Sequence, residues 1–95
     1  MIKVKITQGQ INVLGHAGYA APGFDIVCAA VSTLTQNLIK SIEALTRDPI
    51  EYAIESGKII LKYENVSERT KTLIDSFFIG ICNLIEEYPE YIRLL

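Results

Sequence analysis

DIVCAAVSTLTQNLIKSIEALTRDP, residues 25–49, carries a helical pattern bounded by punctuation at both ends. Val27, Val31, Leu34, Leu38, Ile42 and Leu45 recur at steps of three and four, which traces one apolar stripe. Ala29, Ala30, Gln36, Lys40 and Glu43 cover the other faces. Asp25 stands where an N-cap belongs, because a short side-chain oxygen can accept from the free N–H groups of a first turn. TRDP at 46–49 ends the run, since Pro49 cannot continue a helix. The spacing predicts a helix over roughly residues 26–46.

Toward the N-terminus the period changes from helical to two. In IKVKIT, residues 2–7, Ile2, Val4 and Ile6 face one way and Lys3, Lys5 and Thr7 the other. QGQ at 8–10 reads as a turn, and INVLGH at 11–16 resumes an extended segment with Ile11 and Val13 on one face. The two runs make an antiparallel hairpin, with His16 at or just past its end. GYAAPGF, residues 18–24, is a loop of small residues broken by Pro22.

Toward the C-terminus the same plan recurs. IEYAIE and KIILKYE form a second hairpin over 50–63, turned at SGK with Gly57. Ser67 caps a second helix over about 68–87, with Glu68 suited to its first turn. Its apolar face holds Leu73, Ile74, Phe77, Phe78, Ile81, Leu84 and Ile85. YPE breaks that helix, and YIRLL is read as a short terminal strand at an edge. The expected fold is α+β, a two-layer sandwich of a mainly antiparallel sheet and two helices, in the order ββαββα with a terminal strand. Residues 1–95 are read as one domain, without a linker or repeat.

The chain has 95 residues, 49% hydrophobic and 21% charged, a globular composition. Its core is modest, so a second copy would be a natural way to bury more apolar surface. The net charge of −2 lacks the basic footprint of a nucleic-acid binder. No apolar run has the length of a membrane span, and the N-terminus does not read as a signal peptide. The expectation is a cytoplasmic protein, with its two cysteines reduced.

The only histidine, His16, and one cysteine, Cys28, lie on either side of the loop. With Asp25 as cap, Cys28 falls in the first helical turn, where free N–H groups and the helix dipole favour a thiolate. Neutral His16 could act as general base toward it, and first-turn amides could stabilise an oxyanion. Asp25 has two readings, as helix cap or as the group that orients the imidazole. The competing reading of Cys28 is packing, because unpaired cysteine is among the most buried residue types. Cys28 is offset by one position from the Val27–Val31–Leu34 stripe, which puts it at the flank of the buried face.

Other features point less far. Cys82, among Phe78, Ile81 and Ile85, is read as core, and it is poorly placed to resolve an oxidised Cys28. Ser32, one turn after Cys28, is read as bonding back to a helix carbonyl. No CxxC or HxxxH spacing suggests a metal site, and no glycine fingerprint suggests a phosphate loop. Neither cofactor nor metal is expected.

GHAGYAAPGFDIVCAAVSTLTQNLIKSIEAL resembles the ribosomal-processing cysteine proteases of bacteria. The detailed match is GHA, a small-residue loop, then GFDIVCAAVS, over residues 15–32. The rest of the chain matches in length and element order. The resemblance implies an endopeptidase that removes an apolar, aromatic N-terminal extension from a large-subunit ribosomal protein precursor. It implies Cys28 as nucleophile, His16 as base, an aspartate at Asp25, and a homodimer. Gly18, Tyr19 and Phe24 are expected to contact the substrate as the loop closes over it. The alternative is a non-catalytic ribosome-associated binding or assembly factor with a structural Cys28.

Overall fold

Strand β1 (Ile2–Ile6) and strand β2 (Gln10–Leu14) pair antiparallel, with Val4 opposite Val13 and Ile6 opposite Ile11. The computed structural model describes residues 1–95. Helix α1 (Ile26–Leu45) follows, then strands β3 (Ile50–Glu55) and β4 (Lys58–Tyr63), helix α2 (Glu68–Glu87) and strand β5 (Ile92–Leu94). The sheet order is β3-β4-β2-β1-β5. The pairings are antiparallel except β1 with β5, which is parallel. The fold is therefore α+β with the expected element order, and the terminal strand takes an edge.

Alternation in the strands becomes one continuous apolar face because cross-strand partners point the same way. One row runs Ile54, Ile59, Val13, Val4 and Leu94; the next runs Tyr52, Leu61, Ile11 and Ile6. Against the middle of these rows pack Val27, Val31, Leu38, Ile39 and Ile42 of α1, and Phe77 and Ile81 of α2. Ile39, Ile42 and Ile81 are fully buried. Each such side chain contributes about 1.5–3 kcal/mol relative to exposure.

The helix layer stops short of β3. Ile59 and Leu61 are buried, while their neighbours in the same rows, Ile54 and Tyr52, are 42% and 40% exposed. Alternation in IEYAIE correctly marks a strand, yet β3 overhangs the helices and forms one edge of the sheet.

Three burial expectations are corrected. The buried stripe of α1 is centred on Thr35 and Ile39, and Leu45 is exposed at the helix end. The Thr35 hydroxyl donates to the Val31 carbonyl at 2.7 Å, which lets a polar side chain sit in the core. On α2, Phe78 faces solvent together with Ile79. Cys82 is only half-buried and lies outside the core cluster.

The helix ends follow local chemistry. Asp25 caps α1, and Ser67 caps α2 by accepting from the Thr70 N–H. Asp48 joins the two helices, accepting from the Ser67 N–H, the Ser67 hydroxyl and the Thr70 hydroxyl. These donors, the Ser67 hydroxyl first, hold its carboxyl below the usual range.

Candidate active site

Three elements meet at one end of the sheet: the end of β2, the first turn of α1 and the turn between β3 and β4. Gly15, with φ of 95°, ends β2 in a conformation that favours glycine. Its N–H donates to the Gly57 carbonyl at 2.8 Å, tying the chain before His16 to the β3–β4 turn. The Met1 backbone nitrogen donates to the His16 carbonyl at 2.5 Å. The next residue, Ala17, is buried, and its N–H donates to Cys28 Sγ at 3.2 Å.

Cys28 is the third residue of α1, half-buried and packed against the core. The packing and reactive readings of this cysteine meet in one position, because its other side opens into a cleft. His16, Cys28, Ser32, Gln36, Ile54 and Gly57 are among the residues lining that cleft, whose volume is about 420 Å³. His16 is exposed there, backed by Gly57. A larger hollow, about 520 Å³ near Gly9 and Pro49 at the opposite end of the sheet, has no cysteine or histidine in its lining.

Asp25 uses both carboxylate oxygens on backbone N–H groups. Oδ1 accepts from Val27 and Cys28 at 3.0 and 2.9 Å; Oδ2 accepts from Tyr19 and Ala20 at 2.9 and 3.3 Å. The Cys28 N–H foremost holds the carboxyl below its ordinary value, against a smaller opposing effect of burial. The residue therefore caps α1 and closes the base of the loop, and neither oxygen bonds His16. Of the first-turn amides that could stabilise an oxyanion, those of Val27 and Cys28 are occupied by the cap. The donor directed at the sulfur is Ala17, a residue without side-chain chemistry to mark it in sequence.

Gly18, Tyr19 and Phe24 lie outside the lining of the cleft. Tyr19 stacks edge-to-face on Tyr88 and Tyr91, with centroids 5.7 and 5.2 Å away, so the loop docks on the chain after α2. Phe24 projects into solvent, 78% exposed. Ser32 Oγ accepts from Gln36 Nε2 at 2.8 Å rather than bonding back to a helix carbonyl. No group of three or more His, Cys, Asp or Glu side chains is placed to hold a metal ion. No helix is long and apolar enough to cross a membrane.

The family model of the cysteine protease Prp matches residues 1–93. The chain belongs to the Prp cysteine protease family. It is 30% identical over 103 aligned positions to the ribosomal processing cysteine protease Prp of Staphylococcus aureus, covering 99% of this chain and 97% of that protein. The crystal structure of SMU.848 from Streptococcus mutans superposes with a TM-score of 0.84 at 31% identity, covering 99% of this chain and 91% of that one. Prp from S. aureus with a covalently linked product peptide superposes at 0.88 and 21% identity, covering 98% and 94%. The protein is thus a cysteine protease, and membership of the Prp family displaces the alternative of a non-catalytic binding factor.

Proposed function

We propose that Cys28 is the nucleophile of this Prp-family protease and that His16 is its general base and acid. The observation that carries the reading is the shared cleft at the start of α1, with the Ala17 N–H directed at Cys28 Sγ. A backbone N–H donor directed at the sulfur favours negative charge there during attack. The Cys28 proton passes to His16, and the thiolate attacks the scissile carbonyl carbon. The tetrahedral intermediate collapses as His16 protonates the leaving amine, which departs as the new N-terminus. Water, deprotonated by His16, then attacks the thioester, releasing the carboxylate and restoring the thiol. Asp25 acts at one remove, by holding the loop and the helix start in register.

The substrate is a ribosomal protein precursor with an apolar, aromatic N-terminal extension. The 30% identical relative, a ribosomal processing protease, supports this choice. The enzyme works in the cytoplasm, and it acts as a homodimer that covers exposed apolar side chains such as Phe78 and Ile79. The test is cleavage of the extended precursor by wild type, Cys28→Ala and His16→Ala, followed by mass spectrometry. Cleavage by wild type alone is expected. Cleavage of the same bond at full rate by either variant overturns the assignment.

A further inference from the structure

The helices cover one face of the sheet, and the other face is open. On the open face the strand register sets Lys3 between Arg93 and Leu14, with Lys58 beyond Leu14. Lys5 stands opposite Asn12 in the next row, and Lys62 lies farther along β4. All five cations are exposed, and they are five of the nine in the chain. The only carboxylates in the strands are Glu51 and Glu55, both on edge strand β3, opposite Lys62 and Lys58. The net charge of −2 conceals this separation of charge by face. The ion pairs of the protein, Lys40 with Glu43 and Lys71 with Glu68, lie on the helices, so no sheet cation is neutralised by one. Lys3 and Arg93 are paired in register on neighbouring strands, where like charges repel.

We infer that the open face of the sheet docks the phosphate backbone of RNA, centred on Lys3, Lys5 and Arg93. Charge complementarity selects a polyanion, because these cations sit close together on rigid strands and an anion relieves their repulsion. Spacing selects a repeating one. Lys3 and Lys5 are about 7 Å apart along β1, and Arg93 stands about 5 Å from Lys3 across the ladder. Successive phosphates along an RNA strand fall in that range. The strand aromatics, Tyr52 and Tyr63, lie on the helix side, so no strand residue of the open face stacks on bases. The contact is therefore with phosphates and independent of base sequence. The row through Lys58, Leu14 and Lys3 is the one nearest Gly15 and His16, so RNA docked there lies beside the catalytic end, on the opposite face. RNA binding does not depend on Cys28. Its use, to meet a ribosomal protein precursor held on RNA, rests on the proposed substrate.

The test follows binding of a fluorescein-labelled single-stranded uridine oligonucleotide by anisotropy across a series of salt concentrations. Wild type should bind at low salt, with the logarithm of affinity falling linearly against the logarithm of salt concentration. Lys3→Gln/Lys5→Gln should weaken binding about tenfold at low salt and flatten that slope by about 1.4, from two lost phosphate contacts. Lys40→Gln/Lys71→Gln removes the same charge from the helices and should bind RNA as wild type does. Both pairs are exposed, and Lys3→Gln relieves the repulsion with Arg93, so both proteins should fold, which thermal unfolding checks. No binding by wild type at low salt, or equal losses in the two double variants, overturns the inference. Binding to polyglutamate or to phosphatidylserine vesicles as tight as binding to RNA overturns RNA as the occupant. RNA binding with the predicted dependence but no Cys28-dependent cleavage overturns the proposed chemistry and leaves the docking face standing.

Discussion

A β-carbon on Gly57 would stand 2.7 Å from Nε2 of His16. The β3–β4 turn therefore backs the imidazole, with only a glycine leaving room for it. Gly57 also has φ of 72°, so any substitution adds backbone strain. The two effects can be separated with Gly23, which has φ of 87° and nothing near its missing β-carbon.

Gly57→Ala is expected to lower kcat/KM by roughly 100-fold, the cost of misplacing a catalytic group by about an ångström. Gly23→Ala should lose comparable stability, about 1–3 kcal/mol for a non-glycine residue in the left-handed region, yet keep most activity. Steady-state kinetics with urea unfolding of both variants is the check. Equal activity loss in the two would mean that strain alone explains the effect.

Cys28→Ser replaces the thiol by a hydroxyl that is far harder to ionise. Precursor cleavage should slow by about 100-fold or more, the scale attached to losing an activated nucleophile or its proton transfer. The fold should persist, since Cys28 is only half-buried. Initial rates alongside thermal unfolding decide this, and a serine variant as fast as wild type would count against nucleophilic attack by residue 28.

The four N–H groups around Asp25 give stability a pH dependence of definite sign. Its carboxyl lies below the ordinary value of 3.8 in the folded protein. The associated stabilisation is fully present above 3.8, declines as pH falls below that value, and is lost once pH has passed through the lower folded-state value. In Asp25→Asn one amide oxygen can still cap the helix, but the NH₂ group opposes the N–H donors of Tyr19 and Ala20. The urea midpoint of wild type should exceed that of Asp25→Asn at neutral pH, with the gap closing in acid. Asp48, perturbed in the same direction, is common to both proteins and cancels. A gap that stays constant or widens as pH falls would contradict the prediction.

Tyr19→Ala removes both edge-to-face contacts with Tyr88 and Tyr91. The expected loss is about 1 kcal/mol, since such contacts contribute about 0.5–1.5 kcal/mol each and this ring is partly exposed. Amide exchange across residues 18–24 should quicken as the loop leaves its dock. Unchanged exchange would mean that Asp25 alone holds the loop.

Elements and caps were legible because they rest on local causes. Alternation in IKVKIT and IEYAIE, the stripe from Val27 to Ile42, and Asp25 and Ser67 at the helix starts each express interactions within a few residues. Which apolar side chains would be covered was less legible. Tyr52 and Ile54 have the same alternation as buried Ile2 and Val4, but the helix layer does not extend over β3. Thr35 entered the core because its hydroxyl could turn back to Val31, an option that a hydrophobic pattern does not register.

Local patterns along the chain suffice for the order of elements, the cap at Asp25 and the placement of Cys28 in a first turn. These depend on backbone periodicity and on side chains meeting nearby N–H groups. Tertiary structure decided the rest of the site. It brought Gly57 against His16 across the sheet and directed the Ala17 N–H at Cys28 Sγ. It also left β3 projecting beyond α1, with Tyr52 reaching Glu43. Each of these relations joins different elements or a loop and a helix through strand register and the limited width of the helix layer, and no local pattern encodes how two surfaces will end against one another.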